Sequence, residues 1–208
     1  MPNTRPRGRK AVEGRRDQLL AAALRLMASR GFAATSIEDV ARQAGVAKGT
    51  VYLYFPTKDA LLAAVLETQS LMPALIPWLD ALEPGASLPD IVHSVVPLLW
   101  QALHARKDAL RILLREGSDR SAYSLLFLER TLPFTEQFAE RLRVLSGNRA
   151  PELDYYVAIR ALIAMLLGLF VEQEILGGKK VRPVADAAIV DTVAALFLDG
   201  VRGARAKD

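Results

Sequence analysis

Apolar residues recur along this chain at three- and four-residue steps, the spacing that gathers side chains onto one face of an α-helix. From Gly14 to Arg30 the seam is Leu19, Ala22, Ala23, Leu26 and Met27, and Gly31 comes next as a C-cap. In "TSIEDVARQAG", Ser36 and Asp39 have the spacing of a capping box ahead of Ile37, Val40 and Ala41, and Gly45 ends the helix. "AKGTVYLYF" predicts a third short helix, stopped by Pro56. Thr57 then caps a longer helix running through Leu61, Leu62, Val65 and Leu66 towards Leu71, and Pro73 and Pro77 bend or break the segment after it.

The later chain repeats the theme. Ser87 and Asp90 form a second capping box, with Pro89 in the tolerated first turn of a helix to about Ala105 that Pro97 can kink. "RKDALRILLREG" is a short helix, and residues 119–145 read as helix interrupted at Pro133. Pro151 opens a helix to about Leu176, "GGKKVRP" is a loop, and a last helix covers Val184 to Val201. Strand-like alternation is scarce, so the expected fold is all-α.

Two of these helices are apolar on more than one side. Residues 151–176 carry Leu153, Val157, Ala161, Ala164, Gly168, Val171 and Ile175 on one seam. Ile159, Leu162, Leu166, Leu169 and Phe170 lie on another. The last helix carries Ile189, Val193 and Leu196 on one side and Val190, Ala194, Phe197 and Val201 on the other. One face of each can meet a core. The remainder needs a cover, either a thicker core or the same helices of a second copy packed about a two-fold axis.

Composition narrows the function. The chain has 208 residues, is 51% hydrophobic and 24% charged, and has no cysteine. That describes a globular protein without disulfides, thiolate metal sites or cysteine nucleophiles. His93 and His104 lie outside any metal-ligand spacing, so no metal and no cofactor are expected. There is no phosphate-cradling glycine loop and no inward carboxylate pair, which disfavours an enzyme. "MPNTRPRGRKAVEGRR" has no apolar segment after its basic residues, and the longest apolar run, Ala161 to Val171, falls short of the ~20 residues that span a bilayer. A cytoplasmic location is expected.

Charge is uneven. Residues 1–58 hold eleven Lys/Arg against four Asp/Glu, whereas the rest of the chain holds sixteen against nineteen. A basic first quarter on a mildly acidic body suits a polyanion-facing part and a part with another task. Residues 36–55, a short helix, a glycine-containing turn and a second short helix, are the arrangement that sets its second helix in a DNA major groove. Val51 and Phe55, four apart and joined by Val46, would hold that helix on its domain. Lys48, Gly49, Thr50, Tyr52, Leu53 and Tyr54 then fall at its N-terminus and outer sides. Lysine can donate to guanine O6 and N7, the hydroxyls suit phosphates, and Lys58 adds a cation at the next helix start. For Tyr52 and Tyr54, packing is the competing role.

Residues 15–66 resemble the N-terminal domain of the tetracycline-repressor (TetR) family. The residues that carry the resemblance are "LLAAALRLMASRGFAATSIEDVARQAGVAKGTVYLYFPTKDALLAAVL". They include the Gly-Phe end of the first helix, the Thr-Ser cap, the Ala-Gly-Val turn, the Lys-Gly-Thr-Val-Tyr recognition helix and the Lys-Asp-x-Leu-Leu start of the fourth. Ala47 departs from the pattern, standing where the family often has Ser or Thr. The resemblance implies a dimeric repressor with a three-helix DNA-binding domain and a larger helical domain that dimerises and binds a small effector. It places base contacts on Lys48, Gly49, Thr50, Tyr52 and Leu53. Phosphate contacts fall on Ser36, Thr50, Tyr52, Tyr54 and Lys58.

The expected organisation is a basic tail over residues 1–12, a helix-turn-helix domain over 13–58 and an effector-binding and dimerisation domain over 59–208. Expected partners are operator DNA with an inverted repeat, a second copy of the chain and a small apolar or amphipathic effector that releases the DNA. The dimer interface is expected on Val157, Ala161, Ala164, Gly168, Val171, Val190, Ala194, Phe197 and Val201. Trp78, His93, Trp100, Tyr123, Phe127, Phe134 and Phe138 are either an effector pocket or ordinary core. The tail can follow the minor groove or merely solubilise. The alternative function is an architectural or partner-recruiting DNA binder with no effector.

Overall fold

The computed structural model describes residues 7–83, 85–116, 121–145 and 153–203, and among these it holds helices and no strand. Their order is α1 (Arg7–Arg30), α2 (Ile37–Gln43), α3 (Lys48–Tyr54), α4 (Lys58–Thr68), α5 (Met72–Asp80) and α6 (Leu88–Ala105). Then come α7 (Lys107–Glu116), α8 (Ser121–Leu145), α9 (Tyr155–Phe170), a π-helical turn (Val171–Ile175), α10 (Gly178–Val181) and α11 (Asp186–Gly203). The chain divides into two compact units, residues 1–69 with 108–127 and residues 70–107 with 128–208.

The first unit is built on α1. Its seam of Leu19, Ala22, Ala23, Leu26 and Met27 is buried with Ile37, Val40, Ala41, Val51, Phe55, Leu61, Leu62 and Val65. The fourth helix packs on the first, so the boundary drawn after Lys58 cuts inside this unit. Ile112 of α7 joins the same core, and the Glu116 carboxylate accepts the Phe32 backbone N–H at 3.1 Å. Local sequence signals do not bring α7 to this unit. α1 also begins at Arg7, inside the segment expected as a tail.

The second unit packs α6, α9 and α11 on one another, with α5 on α6. α9 turns Tyr155, Ile159, Leu162, Leu166 and Phe170 inward. α11 turns Ile189, Val193, Ala194, Phe197, Leu198 and Val201 inward. After Phe170 the helix widens by one residue, and the Leu176 N–H donates to the Val171 carbonyl at 2.9 Å, five residues back. Gln173 fastens this turn to the segment ahead of α11. Its amide nitrogen donates to the Arg182 carbonyl at 3.3 Å and its amide oxygen accepts the Val184 N–H at 3.1 Å.

The interruption expected at Pro133 is corrected, and of the bend or break expected at Pro77 the break does not occur. Pro77 lies inside α5, Pro97 inside α6 and Pro133 inside α8, and each helix continues through its proline. A proline in a helix interior costs about 3 kcal/mol. Around Pro97, Val95, Val96, Leu99 and Trp100 are all buried, and side chains of this size contribute about 1.5–3 kcal/mol each. Packing therefore outweighs the missing backbone bond. The membrane argument is corrected too. By length and composition alone, the continuous stretch Tyr155–Ile175 is long and apolar enough to cross a bilayer, although Arg160, Glu172 and Glu174 flank its apolar run. One of its sides is core, and the other is open.

Candidate nucleic-acid interface

The turn between α2 and α3 is set by Gly45, whose φ of 65° lies in the left-handed region that glycine enters without strain. The start of α2 is fixed by the capping box read from sequence. Ser36 Oγ accepts the Asp39 N–H at 3.0 Å, and the Asp39 carboxylate accepts the Ser36 N–H at 3.2 Å. The Ser36 hydroxyl, then the Ser36 backbone N–H, and Arg42 beyond them hold the Asp39 carboxyl below its ordinary range. Ser36→Ala should cost about 1 kcal/mol of stability, read as a lower melting temperature. The carboxylate's share is present above the ordinary carboxylate pKa and is lost as pH falls through Asp39's lowered value. Melting curves of wild type and Asp39→Asn should therefore converge on acidification.

α3 has the anchored inner side that its sequence predicts. Val51 is fully buried, Phe55 nearly so, and Val46 packs at the edge of the same core. Ala47 is the N-cap and makes no side-chain cap bond, as its methyl side chain dictates. On the outer side Leu53 is 85% exposed and Tyr52 45% exposed. Gly49 is exposed, with no neighbouring atom within 4 Å of where a Cβ would sit, so its backbone is open to a close approach from outside. Thr50 is half-buried. Tyr54 is half-buried against the core, with its ring 6.4 Å from that of Phe55, so packing is at least part of its role.

Two cations frame this surface. Lys48 Nζ donates to Glu38 Oε1 at 2.7 Å, across the turn on α2, and this hydrogen bond raises its pKa. Glu38 was not among the residues expected from sequence. Its signal was present, since it stands on the first turn of α2 just before the recognition helix. Lys58 Nζ sits 4.3 Å from the centre of the Phe32 ring and donates to the Ala33 carbonyl at 3.2 Å. Ser36, Lys48, Tyr52 and Lys58 line one groove of about 490 Å³ together with Glu38, Pro56 and Thr57. A groove with ammonium groups and hydroxyls beside an exposed helix face suits a phosphate backbone next to base edges.

The expected effector residues divide into separate clusters. The Trp78 and Phe138 rings meet edge to face at 5.2 Å, Phe134 lies 6.2 Å from Phe138, and Trp78 Nε1 donates to Ser94 Oγ at 3.1 Å. Trp100 instead meets His104 at 5.1 Å and Phe170 at 5.6 Å. Trp100 is 3% exposed, and its indole N–H has no hydrogen-bond partner among the described residues. His93 is exposed whereas Trp100 is buried, so the two do not share one environment. The side chains of Tyr123 and Phe127 lie outside the described residues. A groove of about 330 Å³ in the second unit is lined by Glu136, Glu140, Arg143, Asp154, Tyr156 and their neighbours, and includes none of the expected effector residues.

The interface residues also divide. Val157, at 56% exposure, and the exposed Ala161, Ala164 and Gly168 form an open apolar face on α9. Val171 and Val190 are half-buried. Ala194, Phe197 and Val201 are buried in the second unit's own core and have no surface left for a partner. The open side of α11 carries Leu196 instead, at 60% exposure.

A core-anchored helix that comes after a glycine turn and presents its polar N-terminus and outer face to solvent is a helix-turn-helix DNA-binding unit. The sequence profile described as "Bacterial regulatory proteins, tetR family" matches residues 19–65, the span from α1 into α4. Residues 19–65 are thus a TetR-family DNA-binding domain, and the chain that carries it is a DNA-binding regulator. It is 27% identical over 187 residues to YuxN of Bacillus subtilis, an HTH-type transcriptional regulator, covering 83% of this chain and 59% of that one. It is 25% identical over 191 residues to YvkB of the same organism, also an HTH-type transcriptional regulator, covering 88% and 95%. Among solved structures, the fatty acid degradation regulator FadR from Bacillus halodurans superposes with a TM-score of 0.74 at 21% identity, covering 97% of this chain and 99% of that one. That likeness is one of fold.

Proposed function

We propose that this regulator is a cytoplasmic, non-enzymatic repressor that binds an inverted-repeat operator as a homodimer and is released by a small apolar or amphipathic effector. The observation that carries the operator reading is the outer face of α3, where Leu53, Tyr52 and Gly49 are open while Val51 and Phe55 lock the helix in place. Lys48 and Leu53 read bases, the first at guanine O6 and N7 and the second at a thymine methyl. Ser36, Thr50, Tyr52, Tyr54 and Lys58 hold phosphates. The open faces of α9 and α11 support the dimer, since a contiguous apolar surface on a soluble DNA-binding protein is a partner surface. Trp100 supports the effector: a buried indole N–H without a partner is costly, and a ligand oxygen beside it would satisfy it.

The test is selection of genomic fragments by the purified full chain, then footprinting. The expected result is two protected half-sites separated by about 34–36 Å or a multiple of it. Sequence-independent binding would remove the operator reading, and operator affinity indifferent to a broad set of lipophilic compounds would return the effector-free alternative. Lys58→Ala should weaken all DNA sequences alike and flatten the log–log salt dependence by about 0.9. Lys58 keeps donors to spare beyond the Ala33 carbonyl, so the same ammonium can face a phosphate.

A further inference from the structure

The second unit holds a polar cluster that DNA recognition does not use. His104 on α6, Glu174 in the π-helical turn and Asp186 at the start of α11 bring one ligand atom each to within 4.8 Å of one another. His104 Nε2 is 3.7 Å from Glu174 Oε1 and 3.8 Å from Asp186 Oδ2. The ring is held from its other side. Nδ1 lies 3.1 Å from the Trp100 carbonyl, and the Trp100 and Phe170 rings stand edge-on at 5.1 Å and 5.0 Å. A carbonyl only accepts, so Nδ1 carries a hydrogen there, which leaves Nε2 as the ring atom that faces the two carboxylates.

Three ligand atoms face one another here, and the Lys179 ammonium is the cation that stands beside them. A zinc-class ion about 2.0–2.2 Å from each atom of a tetrahedral set would hold them about 3.3–3.6 Å apart; His104 Nε2 would close on each carboxylate by a few tenths of an ångström, and the two carboxylate oxygens would close on each other from within 4.8 Å. An imidazole fixed through its second nitrogen by a backbone carbonyl is also how metal-ligating histidines are oriented. We propose that His104, Glu174 and Asp186 form a binding site for a divalent transition metal, with a fourth position open to water. The imidazole favours zinc, cobalt or nickel over magnesium and calcium, which take oxygen ligands.

Two lysines complete the arrangement. Lys107 Nζ donates to Glu174 Oε2 at 2.5 Å, and Lys179 Nζ donates to Glu174 Oε1 at 2.6 Å and lies 3.6 Å from Asp186 Oδ1. These bonds fix the position of the Glu174 carboxylate beside His104 and Asp186. Lys107 bonds the oxygen that the metal does not need and orients Glu174. Lys179 occupies the metal's side of the cluster and is 45% exposed, so it can swing into solvent and give way. The π-helical turn supplies the remaining piece, since its extra residue re-aims Glu174 relative to the regular helix before it. Spacing along the sequence cannot show such a site, because its ligands come from three separate elements.

The experiment uses the full chain, stripped with a chelator and titrated with zinc sulfate and cobalt chloride. Tryptophan emission reports through Trp100, and the visible band of cobalt reports coordination. The expected result is one equivalent bound, with no response to magnesium chloride. His104→Gln and Asp186→Asn should each weaken binding at least about tenfold. Lys179→Met should tighten it, and His93→Gln should leave it unchanged. Asp186 is half exposed, so its variant keeps the fold and isolates the ligand role. Absence of binding at micromolar metal, affinity unchanged in Asp186→Asn, loss in His93→Gln, or weaker binding in Lys179→Met would each overturn the site.

Discussion

Ala164→Arg is expected to leave the protomer folded, to dissociate the dimer and to abolish tight operator binding. Ala164 is exposed on the open face of α9, beside Gly168, where a Cβ would meet nothing within 4 Å. The arginine therefore costs the isolated protomer little. In the proposed interface it becomes an unpaired buried charge, which costs about 3–5 kcal/mol. At 1.4 kcal/mol per tenfold, the dimer dissociation constant should rise by about two to three and a half orders of magnitude. Sedimentation equilibrium reads this directly, and far-UV circular dichroism confirms the fold. The paired control is Ala194→Arg. That site is buried in the second unit's core, so the variant should unfold instead of dissociating. A folded, fully dimeric Ala164→Arg protein with wild-type operator affinity would place the interface elsewhere.

The second large effect is expected at Phe55. Its side chain is 3% exposed, pins the end of α3 to the first unit and carries Arg16 over its ring at 5.6 Å. Phe55→Ala should destabilise that unit by about 3–5 kcal/mol, a large part of what a small domain has. DNA binding should be lost with it, since the recognition helix loses its anchor. Leu53→Ala makes the contrast. Leu53 faces solvent, so its truncation should change stability by no more than about 0.5 kcal/mol. Any loss of operator affinity in that variant is then a lost DNA contact. Thermal melting with a parallel mobility-shift titration separates the two. If Phe55→Ala melts like wild type, the packing account of α3 is wrong.

The helix-turn-helix was legible because its signals are local. Ser36 and Asp39, Gly45, Thr57 and the Val51–Phe55 pair each act within a few residues, and each stands in the structure where its spacing put it. What failed to read through was non-local. Periodicity divided α11 into faces but could not say which one turns inward, so Ala194, Phe197 and Val201 were assigned outward when the core holds them. On α9 the same reasoning put Val157, Ala161, Ala164 and Gly168 on the open side, because the larger Ile159, Leu162, Leu166 and Phe170 had a stronger claim on the interior. Pro133 reads as an interruption because sequence displays the missing donor and hides the packing that offsets it. The partners of Trp100 illustrate the same limit. His104, one turn along α6, could have been inferred from spacing, whereas Phe170 arrives only with the tertiary fold, as do the Glu174 and Asp186 carboxylates that face His104.

The Lys48–Glu38 pair bears on how the regulator finds its site among a genome's worth of wrong ones. A lysine that arrives with its own carboxylate has little free charge to spend on an arbitrary phosphate. While the pair stays closed, the protein grips random duplex with one cation fewer and releases fewer counterions there, which favours sliding and hopping over arrest. In the proposed base reading, a guanine edge offers two aligned acceptors that compete with Glu38, so the pair would open only where a base answers it. Glu38→Gln should therefore raise affinity for random duplex more than for the operator and slow the search, and stopped-flow association in the presence of competitor DNA would register that as a longer time to reach the target.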